Sequence, residues 1–201
     1  MSRRWAERKA TAKIRNVWIY LGHKKEVCDE NVIYHLERAS VSISAERTTE
    51  SVKPNNDAAF LKSQLVELWS PHLSMLGDFH THPYDSIDEV KNIRGYEFSE
   101  IDYDSFIKDD FLWEKARGNP IMLVMTICRL RRVRLTGDGK QLASNIWTFD
   151  AGHFRFWLNA EIGYENEEKK RVISTFQDHV FLDLNSKFYN DLAFDGDPRR
   201  S

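Results

Sequence analysis

Apolar residues along this chain change their spacing several times, and each change predicts an element. Val17 to Gly22 and Val32 to Leu36 are short runs of β-branched and aromatic residues separated by the polar turn Lys24 to Asn31, and they predict an antiparallel hairpin. Ser40 to Ala45 alternates small polar with apolar residues, which predicts a third strand or a continuation of the second. Glu46 to Asn56 is polar, holds Pro54 and has no periodicity, so it predicts a loop. Asn56 or Asp57 then caps a helix to about Trp69, with Phe60, Leu61, Leu65, Val66 and Trp69 recurring at helical spacing. Ser70-Pro71 ends that helix, and a strand from Leu73 to Thr81 follows.

Tyr84 to Phe98 is mostly polar and predicts a solvated loop, with a substrate-selecting lid as the alternative. From Ser99, a good N-cap, a helix runs to the stop at Gly118-Asn119-Pro120 and sends Ile101, Phe106, Ile107, Phe111 and Leu112 toward the core. Pro120 to Ile127 is apolar throughout and predicts a fully buried central strand. Arg129 to Leu135 and the turn Thr136-Gly137-Asp138-Gly139-Lys140 predict an exposed hairpin. Further on, Ile146 to Phe149 and Phe154 to Leu158 read as strands, with less regular elements over Arg171 to Asp183 and Lys187 to Leu192. A short helix is expected over residues 2–13, and a disordered tail from Asp195. Strands interleaved with helices predict a mixed α/β layered fold.

Composition narrows the class. At 201 residues and 41% hydrophobic, the chain suits one compact core with decorations. We divide it into a core over 1–145, an aromatic-rich extension over 146–194 packed on that core, and the tail 195–201. A net charge of -2 gives no global electrostatic case for nucleic acid. No run approaches the ~18 apolar residues of a membrane helix, and the first residues lack an apolar signal core, so a cytoplasmic protein without a membrane partner is expected. Cys28 and Cys128 have no CxxC partner and read as free thiols.

The chemistry concentrates in Leu76-Gly77-Asp78-Phe79-His80-Thr81-His82-Pro83 and in Ser99-Glu100-Ile101-Asp102. On a strand, residues two apart share a face, so His80 and His82 present both imidazoles to one side. A catalytic zinc takes three protein ligands and leaves a position for water. Asp102, in the first turn of the helix capped by Ser99, is the candidate third ligand. His23, His35, His72, His153 and His179 have no short-range metal partner in the sequence and read as surface or core polar residues.

These two segments resemble the signature of the JAMM (JAB/MPN) metalloproteases, in particular the prokaryotic type: an upstream Glu, then His-(Ser/Thr)-His-Pro, then Ser-x-x-Asp. The resemblance implies the JAB/MPN fold, a cytidine-deaminase-like curved mixed sheet flanked by helices. It also implies zinc on His80, His82 and Asp102, with Ser99 steadying the oxyanion. The implied activity is isopeptidase or peptidase cleavage beside a ubiquitin-like or other protein tail. The alternative is a JAMM-like binding or scaffold module that lacks the catalytic Glu. Two features depart from the family pattern. Sixteen residues, 83–98, separate His82 from Ser99, a longer spacer than the family's. The position matching the family Glu is Arg15, whose pKa above about 12 bars it from general-base work.

If 17–23 and 31–37 pair as an antiparallel hairpin, Glu37 falls opposite Arg15 or Asn16, and it becomes the first candidate for a relocated base. An Arg15–Glu37 ion pair is the plainer reading of the same geometry, and Glu7, Glu26 and Glu30 suit the role less well. Asp-x-His-x-His also resembles the opening motif of PHP phosphoesterases and amidohydrolases. Those are barrels of ~200 residues or more, whereas 119 residues with two histidines follow His82 here. The sequence does not indicate an oligomeric state.

Overall fold

The computed structural model describes residues 17–26, 32–42, 44–47, 52–53, 55–134, 139–174 and 180–184. The predicted N-terminal helix, Arg15, Cys28 and the tail lie outside the described residues, as do residues 27–31 and 135–138 and most of the chain beyond Ser174.

The strands β1 (Val17–Glu26), β2 (Val32–Val41), β5 (Ser74–Tyr84), β6 (Ile121–Arg134), β7 (Lys140–Ala143), β8 (Ile146–Glu165) and β9 (Arg171–Ile173) form one mixed sheet. Its order is β2-β1-β5-β6-β8-β7, with β9 joined to β8. β5 and β6 run parallel, and the other neighbouring pairs are antiparallel. The two-residue strands β3 (Glu46–Arg47) and β4 (Val52–Lys53) pair with each other inside the stretch expected as a loop. The helices are α1 (Asn56–Trp69), α2 (Ile87–Asn92), α3 (Glu100–Lys108) and α4 (Asp110–Lys115). The chain is thus an α/β protein with a seven-strand sheet flanked by helices. Among the described residues no helix is long and apolar enough to cross a membrane.

One face of the sheet packs Leu21, Met75, Met122 and Val124 against Ala59 of α1, Phe98, Phe106 of α3, and Leu112 and Trp113 of α4. A second cluster joins Phe79, Leu123 and Ala160 with Leu36, Met125, Leu158 and Leu182. The parallel β5–β6 pair lies mid-sheet, which explains the unbroken apolar run at the start of β6. Gly77 lets these strands meet, because a Cβ there would come within 1.9 Å of the Ile121 carbonyl oxygen.

Several expectations change. The β1–β2 register pairs Leu21 with Arg38 and Gly22 with Leu36, so a bulge at Glu37 faces the Leu21/Gly22 junction rather than Arg15 or Asn16. Both strands are longer than predicted, and Ser40 and Val41 continue β2. Asn55 caps α1, its side chain accepting from the Ala58 amide. The buried line of α1 is Ala59 and Ser63 with Val66 partly covered, whereas Leu61, Leu65 and Trp69 face outward, Trp69 being 81% exposed. Small residues at 59 and 63 suit close seating of the helix, and the larger apolar side chains are left on the outer face.

The 84–98 stretch is a docked excursion built on α2. Val90 is fully buried against Cys128 and Trp157, with Tyr84, Ile87 and Tyr96 around them. The helix expected from Ser99 breaks at Asp109, whose side chain accepts from the Leu112 amide and so caps α4. Ile101 is exposed, while Phe106 and Leu112 are buried as expected. Gly118, at φ +80°, ends the helical stretch, its amide donating to the Trp113 carbonyl. The two strands expected within 146–158 are one 20-residue strand, β8. Because β8 pairs with β6 from Phe154 to Ile162, the segment expected as a packed-on extension enters the sheet itself.

Candidate metal centre

Parallel strands cannot be joined by a tight turn, so the chain between β5 and β6 must cross back over the sheet. The helices of that crossover start near the C-terminal end of β5, where open α/β sheets place their ligand crevices. His80 and His82 occupy that end of β5, opposite Val124 and Thr126 of β6. Ser99 and Asp102 open α3, and the crossover carries them onto the imidazoles.

The donor atoms converge. His80 Nε2 lies 3.1 Å from His82 Nε2 and 3.3 Å from Asp102 Oδ1, and His82 Nε2 lies 3.6 Å from Asp102 Oδ2. All three residues offer a ligand atom within 4.8 Å of the others, and they are the one His/Cys/Asp/Glu group of this kind among the described residues. Four ligands at about 2.0–2.1 Å in a tetrahedron stand roughly 3.3 Å apart. The observed spacings therefore suit a single ion bound by two imidazoles and a carboxylate. The donor set fits zinc, but other divalent transition metals also take imidazole and carboxylate ligands.

Neighbouring groups set the orientation of each candidate ligand. His82 is 3% exposed, and its Nδ1 lies 3.4 Å from the Gly95 carbonyl oxygen. A carbonyl only accepts, so the contact is a hydrogen bond in the tautomer that carries the proton on Nδ1, and that tautomer leaves Nε2 with its lone pair toward the cluster. His80, 7% exposed, has the Phe98 ring beside it at 6.1 Å. Asp102 is locked by a capping box: the Ser99 amide and hydroxyl both donate to its Oδ2, at 2.8 and 2.7 Å, while its own amide donates to Ser99 Oγ at 3.2 Å. Burial opposes ionisation of Asp102. The hydrogen bond and charge of His80 and the two Ser99 donors outweigh that effect and hold the carboxyl well below its ordinary range.

Asp78 shares the strand face of the two histidines, two residues before His80. Its Oδ1 is sealed from solvent without a hydrogen-bond partner among the described residues, and burial pushes the carboxyl up to about 6 against the pull of His80. Glu161 of β8 stands opposite Met122 and accepts from the Tyr103 hydroxyl at 2.9 Å. Its Oε2 is buried without a partner among the described residues, and burial pushes this carboxyl up to about 7. Burial and the charge of Glu161 push the Tyr103 hydroxyl up as well.

Of the residues singled out in the sequence, His80, His82, Asp102 and Ser99 come together. Glu37 does not join them. It accepts from His23 Nδ1 at 2.7 Å, beside the Leu21/Gly22 junction, and Gly22 pairs with Ser74 at the start of β5, the end remote from His80. Gly95, Thr126 and Glu161 were missed. Their relevance depends on contacts between distant segments, whereas the alternation Asp78-x-His80-x-His82 could have placed Asp78 on the site's face.

The fold and the cluster define a class: an α/β protein with a mixed sheet whose His-His-Asp group is able to hold a metal ion. No protein-family model matches the sequence, and no curated protein matches it at a significant level.

Proposed function

We propose that this protein is a zinc-dependent amide hydrolase resembling the JAMM isopeptidases, acting beside the tail of a ubiquitin-like or other protein in the cytoplasm. The convergence of His80, His82 and Asp102 carries the reading, supported by the JAMM-like order of the motif along the chain. These three residues would hold the ion. Zinc bound there supplies a Lewis acid and a water whose pKa falls toward about 7. Ser99 holds the Asp102 carboxylate with its amide and hydroxyl, and the exposed position of Ser99 leaves its hydroxyl room to turn from Asp102 to a substrate carbonyl while the amide keeps its hold. Phe98 and Val124, both buried, limit water around His80, which strengthens the local electrostatics.

A second reading is favoured by a specific observation. Arg15 stands where the family carries Glu, and Glu37 is bonded to His23 away from the cluster. On that reading the chain is a metal-holding binding module without hydrolysis. The test is the metal content of purified protein beside that of His80→Ala and Asp102→Ala, with cleavage of a ubiquitin-like fusion measured on the same samples. Zinc near one per chain, lost in both variants together with cleavage, supports the hydrolase. Stoichiometric zinc without cleavage supports the binding module, and wild-type protein that takes up no metal overturns both.

A further inference from the structure

We infer that Thr126 is a positioning residue for the metal centre, acting on His82 through the carbonyl of Gly95. This rests on the reading of His82 as a metal ligand. Thr126 lies directly opposite His82 in the β5–β6 register and is fully buried. Its hydroxyl donates to the Gly95 carbonyl at 2.8 Å, and His82 Nδ1 meets the same oxygen at 3.4 Å. One backbone oxygen thus serves both side chains.

That oxygen belongs to the 84–98 excursion, and the fold fixes it from three sides. The Gly95 amide donates to the Val90 carbonyl at 2.8 Å, and Val90 is fully buried in the cluster with Cys128 and Trp157. The Tyr84 ring packs against Gly95, where a Cβ would lie 2.6 Å from the ring and force it to shift. Thr126 supplies the third hold, from the strand beside the ligand itself. A hydroxyl at position 126 therefore sets where the acceptor stands, the acceptor sets the proton on His82 Nδ1, and Nε2 is left for the ion.

Thr126→Val preserves volume and shape while deleting the donor. Removing such an outer support weakens metal binding by roughly 10–100-fold. The experiment measures zinc affinity by competition with a chelator, and the visible spectrum of the cobalt-loaded protein, for wild type, Thr126→Val and Thr126→Ser. Alongside, long-range proton–nitrogen NMR of metal-free wild type reads the His82 tautomer. Expected are a Nδ1–H tautomer, weakened zinc with an altered cobalt spectrum in Thr126→Val, and restoration of both by Thr126→Ser. Wild-type affinity and an unchanged cobalt spectrum in a folded Thr126→Val overturn the inference while leaving the metal site standing. A Nε2–H tautomer in the wild type overturns it whether or not the variant folds. Failure of the wild type to bind zinc or cobalt overturns the metal reading along with it.

Discussion

Glu161 shows at the scale of one residue what a buried carboxyl does to stability. Its folded-state value is raised from 4.5 to about 7, so the folded protein keeps the proton over a range where the unfolded chain has lost it. Stability from this group is present below about pH 4.5 and is lost as pH rises through about 7. Glu161→Gln keeps an acceptor for the Tyr103 hydroxyl and removes the titration. We predict that urea unfolding of the metal-free variant shows less loss of stability from pH 5 to pH 8 than the wild type, by roughly 2 kcal/mol. Identical pH profiles would refute the assignment. Glu161 was not legible in the sequence: nothing near it marks it, and its partner Tyr103 lies 58 positions earlier. His80 and His82 were legible because a strand's alternation is local.

Among the elements, α3 joins stability to the candidate chemistry. Ser99 is both its N-cap and the donor that holds Asp102, so Ser99→Ala removes a helix cap and the support of the candidate ligand together. We expect a loss of about 1 kcal/mol in chemical unfolding together with weaker zinc retention against a chelator; a variant that loses stability but retains zinc as the wild type does would show that the cap alone matters. The start of α3 was readable because Ser-x-x-Asp is a local capping pattern. Its end was not, since the break at Asp109 keeps the apolar pattern of one longer helix. The same limit appears in α1, where helical spacing marked a helix but not the side that faces the sheet. Ala59 and Ser63 are buried there, and Leu68 is 74% exposed.

For the molecule as a whole, the β5–β6 contact sets the site, because it brings the two histidines beside the crossover that returns Asp102. Gly77→Ala would push a methyl into the Ile121 carbonyl at the start of that contact. We predict a loss of several kcal/mol or outright failure to fold, as overpacking against rigid backbone usually costs 1–3 kcal/mol or more, with loss of zinc uptake in any folded fraction. Near wild-type melting of Gly77→Ala would contradict the strand register at this point.

Local chemistry along the chain was enough to specify most elements, the paired imidazoles and the capped carboxylate, since each depends on residues within one or two turns or a single strand. The hairpin register, the outward face of α1, the folded 84–98 excursion and the entry of β8 into the sheet depended on the tertiary structure. Those features arise from contacts between segments far apart in sequence, where burial and strand pairing override local pattern. The distance between Glu37 and the cluster belongs with them: a bulge opposite the Leu21/Gly22 junction shifts the register, and no local signal records it.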